Sequence, residues 1–258
     1  MDSLAQAYRS YPLLFWLLGS VLAYGLVANI LWLFRTTRAW HSAYARLLVQ
    51  ILRFLYFLGV PYLALGGWPR RPLQGLLSLQ DLGLVGLSLD WPVTRWLSAV
   101  GLGLATAVGA LTILFLAWNS ARRGSAGQGW RFPEKPWWAL LVEGLYLEVH
   151  WAFYRSALAL LLDDLYVGIF LGLALVYIEW SASPFWRQGW RSGPAAIRQW
   201  WYAALALVAA LVFLFTRNLR VCLGVHWLMT LPFWHVARVR PAAADAQSNP
   251  RPSPQPEA

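Results

Sequence analysis

Glu143, Glu148, His150 and Arg155 lie within one apolar stretch, Trp137–Arg155, WWALLVEGLYLEVHWAFYR. The stretch has the composition of a membrane-spanning helix. Ionisable groups at membrane depth are costly unless they pair or line a cavity, so they mark a site hypothesis. At about 100° per residue, Glu143 and His150 share one stripe of such a helix, and Glu148 and Arg155 share a second stripe roughly 140° round. An acid beside an imidazole can activate a water by general-base catalysis. An acid beside a guanidinium neutralises charge inside a bundle. On the residues alone both readings stay open: a site that handles a ligand or peptide, and a set of internally compensated charges.

The cluster widens along the chain. Glu143, Glu148, Asp163, Asp164 and Glu179 are five of the eleven acids, all within 37 residues of apolar sequence, and His226 arrives from a later apolar run. Polar groups converging from several spans can enclose a water-holding chamber. The candidate catalytic residues are therefore Glu143, Glu148, His150, Arg155 and His226. His150 and His226 are also candidate axial ligands for a haem or chlorophyll-type pigment, against the plainer role of a histidine hydrogen-bonded to a neighbouring helix. No two histidines stand at a helical ligand spacing, so no metal site is expected.

The elements that must position these residues follow from composition. The chain has 258 residues, 59% hydrophobic and 12% charged, with a mean hydropathy of +0.48. These values indicate a polytopic membrane protein rather than a soluble domain. The net charge of +10 comes from basic residues placed between apolar runs, which argues for topology and contact with anionic lipid heads, not nucleic acid. The single cysteine, Cys222, sits in an apolar run and reads as an inert buried thiol. No cleavable signal peptide is expected, because the first apolar run is too long for one. Tryptophan pairs at helix starts, Trp137-Trp138 and Trp200-Trp201, read as interface anchors.

Seven spans are expected: Pro12–Phe34; Leu47–Leu65, with Arg53 snorkelling near one end and a kink at Pro61; Trp96–Trp118; Trp137 to about Leu162; Leu165–Trp180, carrying Glu179; Trp200–Thr216; and Asn218–Trp234, carrying His226. Leu73–Asp90 is leucine-rich but interrupted, and reads as an interfacial or re-entrant piece. Ser120–Pro136 and Ser181–Gln199 read as loops. Asp163-Asp164 reads as a helix end or turn. The whole is an all-α polytopic transmembrane bundle, residues 1–240, followed by a Pro-, Ala- and Ser-rich tail, 241–258, expected to be disordered. With seven spans, thirteen basic residues fall on the side of the C-terminus and six on the other. That bias places the chain in the cell membrane with its C-terminus in the cytoplasm.

Two segments resemble the CPBP family, the CAAX-processing and bacteriocin-processing intramembrane proteases. His150-Trp-Ala-Phe-Tyr-Arg155-Ser-Ala-Leu is similar to the family's first motif, Glu-Glu-x-x-x-Arg with an aromatic residue before the Arg and a leucine-rich continuation; Tyr154, Arg155 and Leu158 fit. Thr216-Arg-Asn-Leu-Arg-Val-Cys-Leu-Gly-Val-His226-Trp-Leu-Met-Thr230 resembles the last motif, His-x-x-x-Asn/Asp. Arg53-Phe-Leu-Tyr-Phe-Leu-Gly-Val-Pro-Tyr is in the style of some members. The resemblance covers roughly 137–234. It implies a helical membrane fold whose acid activates a hydrolytic water.

The departures bear on activity. The two acids of the first motif fall on His150 and Trp151. Glu148 is two residues early, on a face about 200° away, and Glu143 sits roughly 10 Å further along the right stripe. The middle motif, Phe-x-x-x-His, belongs in the fifth span, where the nearest segment is Tyr177-Ile-Glu179-Trp-Ser181. Thr230 replaces Asn or Asp, leaving Arg155 and His226 as the retained positions. Without its base and one histidine, a hydrolysis of this type loses several orders of magnitude in rate. The first expectation is therefore a non-proteolytic member serving as an accessory, assembly or binding subunit, with membrane lipids and a membrane protein or peptide as partners and no nucleic acid. The alternatives are an active intramembrane protease using displaced acids, and a pigment- or haem-binding subunit. A transporter is weaker still, since no repeated pair of broken helices is visible.

Overall fold

The computed structural model describes residues 12–65, 91–124, 136–191 and 193–248, and every regular element among them is helical. Helix α1 spans Pro12–Phe34. Helix α2 begins as Ala43–Phe54, capped by Ser42, whose hydroxyl accepts from the Ala45 amide. It then passes through a π-helical turn at Leu55–Gly59 and ends as Val60–Leu65. The π turn leads into Pro61, whose missing N–H and bulky ring disfavour an α-helical bond to the carbonyl of Phe57; widening the helix absorbs the conflict. Where the sequence leads one to expect a kink at Pro61, the structure has this π turn. Helix α3 is Val93–Gly124, α4 is Trp137–Leu162, α5 is Leu165–Ala182, α6 is the short Pro184–Gly189, α7 is Gly193–Thr216 and α8 is Leu219–Ser248.

Five of the described helices are long and apolar enough to cross a membrane: α1, α2, α3, α5 and α7. Their outward faces are apolar, as a lipid-facing surface requires; Leu22 is 72% exposed and Ile113 69%. Helices α4 and α8 lie outside that set, and they carry buried charged and polar side chains.

Helix α4 is the centre of the bundle. It packs most extensively on α5 and also meets α8, α1 and the π turn of α2. From His150 to Ala157 every residue is buried, so this segment is surrounded on all faces. Its turn into α5 is made by Asp163 in the left-handed conformation, φ 52°, and by Asp164, whose carboxylate caps α5 by accepting from the Val167 amide at 3.0 Å. The two helices then approach closely. A Cβ on Gly168 would overlap the Ala159 backbone, and one on Gly172 would come within 2.9 Å of the Arg155 backbone. Small residues four apart are what allow such an approach in a membrane bundle.

Several expectations are corrected. Asp163 and Asp164 are exposed turn residues and do not join the buried cluster. Helix α2 starts four residues before Leu47, because Ser42 supplies a cap. The segment read as a loop over 181–199 contains α6 and the start of α7, since Pro184 suits a first helical position. Trp201 points inward, 3% exposed, whereas Trp137, Trp138 and Trp200 are exposed as anchors should be. Helix α8 runs to Ser248, so the first eight residues of the expected tail are helical; Ala242-Ala-Ala-Asp-Ala has strong helix propensity. Helix α3 extends to Gly124, and 125–135, 73–90 and 249–258 lie outside the described residues.

Candidate functional site

Both stripes of α4 face protein. Glu148 is fully buried, and its Oε1 lies 3.0 Å from Nδ1 of His226 on α8. Its other oxygen lies 3.6 Å from Nη2 of Arg155, which is 2% exposed. The Arg155 guanidinium also sits 4.7 Å from the ring centroid of Phe213 on α7. Arg155 thus reaches its acid two turns back along the same helix, while α8 supplies the imidazole. Asn218 prepares α8 for this role. It follows Arg217, in the left-handed region at φ 50°, and its Oδ1 accepts from the amides of Arg220 and Val221.

On the other side of α4, His150 Nε2 lies 2.8 Å from Oε2 of Glu179 on α5, with each side chain 1% exposed. Aromatic rings enclose this imidazole, with centroids at 4.5 Å for Tyr154, 4.8 Å for Tyr56 and 5.2 Å for Phe57. The Tyr154 hydroxyl is 2.9 Å from that of Ser20 on α1 and 3.2 Å from that of Tyr56 on α2, and the Tyr56 ring lies 5.5 Å from that of Tyr24 on α1. Four helices therefore converge on one histidine–carboxylate pair.

Glu143 belongs to a third group. It lies 3.6 Å from Arg53 of α2 and accepts a 3.2 Å hydrogen bond from the Tyr202 hydroxyl of α7. Arg53 is thus held by an acid rather than only snorkelling. These three residues line a cavity of about 480 Å³ between α1, α2, α4, α5–α6 and α7. Of the five candidates, then, Glu148, Arg155 and His226 come together, His150 pairs with an acid outside that set, and Glu143 is separate.

Sequence reasoning did not identify Glu179 as the partner of His150, nor Tyr56, Tyr154 and Ser20 around it. One signal was available: Ser20 is a rare polar residue in the apolar run of α1, and it is 3% exposed.

The arrangement permits limited chemistry. A carboxylate hydrogen-bonded to an imidazole can move a proton, but a hydrolytic site also needs room for a water and a scissile bond. None of Glu148, His150, Glu179 and His226 lines the large cavity, and the small cavity beside Arg155 and Trp151 holds about 10 Å³, about one water at most. A haem needs an open face at its ligand; His150 and His226 are 1% and 4% exposed, and neither lines the large cavity. Among the described residues, no group of three or more His, Cys, Asp or Glu is placed to hold a metal ion. Comparison with family models, with curated proteins and with solved structures gives no significant match.

Proposed function

We propose that this chain is a CPBP-like integral membrane protein of seven spans that has given up proteolysis and acts as a binding, accessory or assembly subunit in the cell membrane, its C-terminus in the cytoplasm. The observation that carries the reading is the closure of both acid–histidine pairs. Each carboxylate of the centre has an oxygen within 3.0 Å of a histidine, and the rings of Tyr56 and Phe57 stand between His150 and the large cavity. The resemblance gives this a pattern. His150 stands where the first motif has an acid, and Glu179 comes from the span where the middle histidine belongs. Acid and imidazole have exchanged helices, which keeps a neutralised pair in the core without a base presented to substrate.

One observation favours the active-protease reading. Glu148 Oε2 and His150 Nδ1 are buried without a hydrogen-bond partner among the described residues, and such atoms can serve a bound water. The test is a comparison of membrane-protein termini in cells carrying the wild type or the E148Q/E179Q variant, with mass spectrometry and a visible spectrum of the protein purified in mild detergent. The proposal expects the same termini in both cells and a colourless preparation with a stoichiometric partner. A peptide terminus that disappears in the variant would establish the protease, and a coloured preparation would establish the pigment or haem subunit.

A further inference from the structure

We propose that the 480 Å³ cavity is a binding site for one anionic membrane phospholipid, with an acyl chain inside and its phosphate against Arg53 and Arg198. The proposal builds on the reading of the protein as a non-proteolytic binding subunit. The volume lies within the range of about 300–1,000 Å³ usual for small-ligand sites. The walls are chiefly apolar, among them Val27, Ala28 and Leu31 of α1 and Val49 and Leu52 of α2, and they suit a hydrocarbon chain.

Polar groups are gathered at the cavity as well. Arg53, Glu143 and Tyr202 line it as a connected set, and the exposed Arg198 stands one helical turn before Tyr202 on α7. Among the described residues this sets two cations, Arg53 and Arg198, beside the acid Glu143. The cavity lies toward the bundle end formed by the C-termini of α1 and α5 and the N-termini of α2 and α7. There Asn29 donates to the carbonyl of Ala182 at 3.2 Å, and Trp32 meets Phe185 edge-on at 4.9 Å. Two segments at this end, 35–42 and 183–198, hold Arg35, Arg38, Arg187, Arg191 and Arg198 and carry no acid between them. Trp180, Trp186, Trp190 and Trp200 form a chain of ring contacts beside them, as at the headgroup level of a bilayer. An apolar cavity below a basic, tryptophan-lined rim is complementary to an anionic headgroup with its tail attached.

The test is native mass spectrometry of the full chain in detergent, titrated with phosphatidylglycerol or with phosphatidylcholine of the same acyl composition. One phosphatidylglycerol should bind per chain, about tenfold tighter than phosphatidylcholine. Ala28→Trp, which fills the cavity, should remove the bound lipid, with thermal unfolding as the check on folding. Arg198→Gln, at an exposed position, should reduce the preference to less than threefold while the lipid still binds. No stoichiometric lipid, equal binding of the two lipids, or binding unaffected by either variant would overturn the proposal, the last two by showing annular lipid only. The outcome is separable from the protease question, because the terminus comparison uses Glu148 and Glu179 and none of the cavity residues.

Discussion

Arg155, Glu148 and His226 are buried together, with Glu148 paired to both of the others. Removing one member of a buried charged group leaves a charge uncompensated, at a cost of about 3–5 kcal/mol. Arg155→Met should therefore lower the unfolding midpoint in detergent sharply, and Arg155→Lys should recover only part of the loss, because a single ammonium cannot both reach Glu148 and lie over Phe213. A midpoint unchanged in Arg155→Met would show that Glu148 is compensated by His226 alone. At this scale the sequence was informative within a helix and silent between helices. The seven-residue spacing of Glu148 and Arg155 put them on one stripe, and they do pair. The same spacing put Glu143 with His150, but each answers to a different helix, because neighbours in space depend on how α2, α5 and α7 are rotated. Periodicity in α4 carries no information about that rotation.

The α4–α5 hairpin brings His150 to Glu179, and it depends on Gly168 and Gly172. A leucine at Gly168 has no room against Ala159, so Gly168→Leu should separate the helices and reduce both the folded yield and the thermal midpoint. Gly101→Ala is the control: nothing lies within 4 Å of its added Cβ, and better helix propensity should stabilise by roughly 0.5–1 kcal/mol. If both substitutions shifted the midpoint equally, the close approach would not matter to stability. Element boundaries were readable where an apolar run met a sharp signal. Pro12–Phe34 and Trp137–Leu162 match the helices, and the Asp163-Asp164 turn was placed correctly. Boundaries failed where helix signals lay in polar sequence, as at Pro184 and Gly193, and where an apolar run continued into a helix-favouring alanine stretch after Trp234.

Over the whole molecule, an apolar outer surface encloses a polar axis made by α4, α5 and α8. The basic bias of the sequence is our ground for proposing an orientation of that bundle, and impermeant maleimide labelling in intact cells tests it in a Cys222→Ser background. Thr36→Cys should label only after permeabilisation, and Asp163→Cys from outside. The reverse pattern would invert the topology, and labelling of both from one side would change the span count. At the middle of that axis we place the His150–Glu179 pair as a closed structural contact. The most direct measurement is a double-mutant cycle of thermal unfolding in detergent on His150→Leu and Glu179→Leu. If the contact is structural, each single variant should be strongly destabilised, by about 3–5 kcal/mol, and the double variant should regain most of the loss, as for a buried pair replaced by apolar side chains. Single variants as stable as the wild type, or more stable, would contradict it: that is the behaviour of a site held for catalysis at the expense of stability.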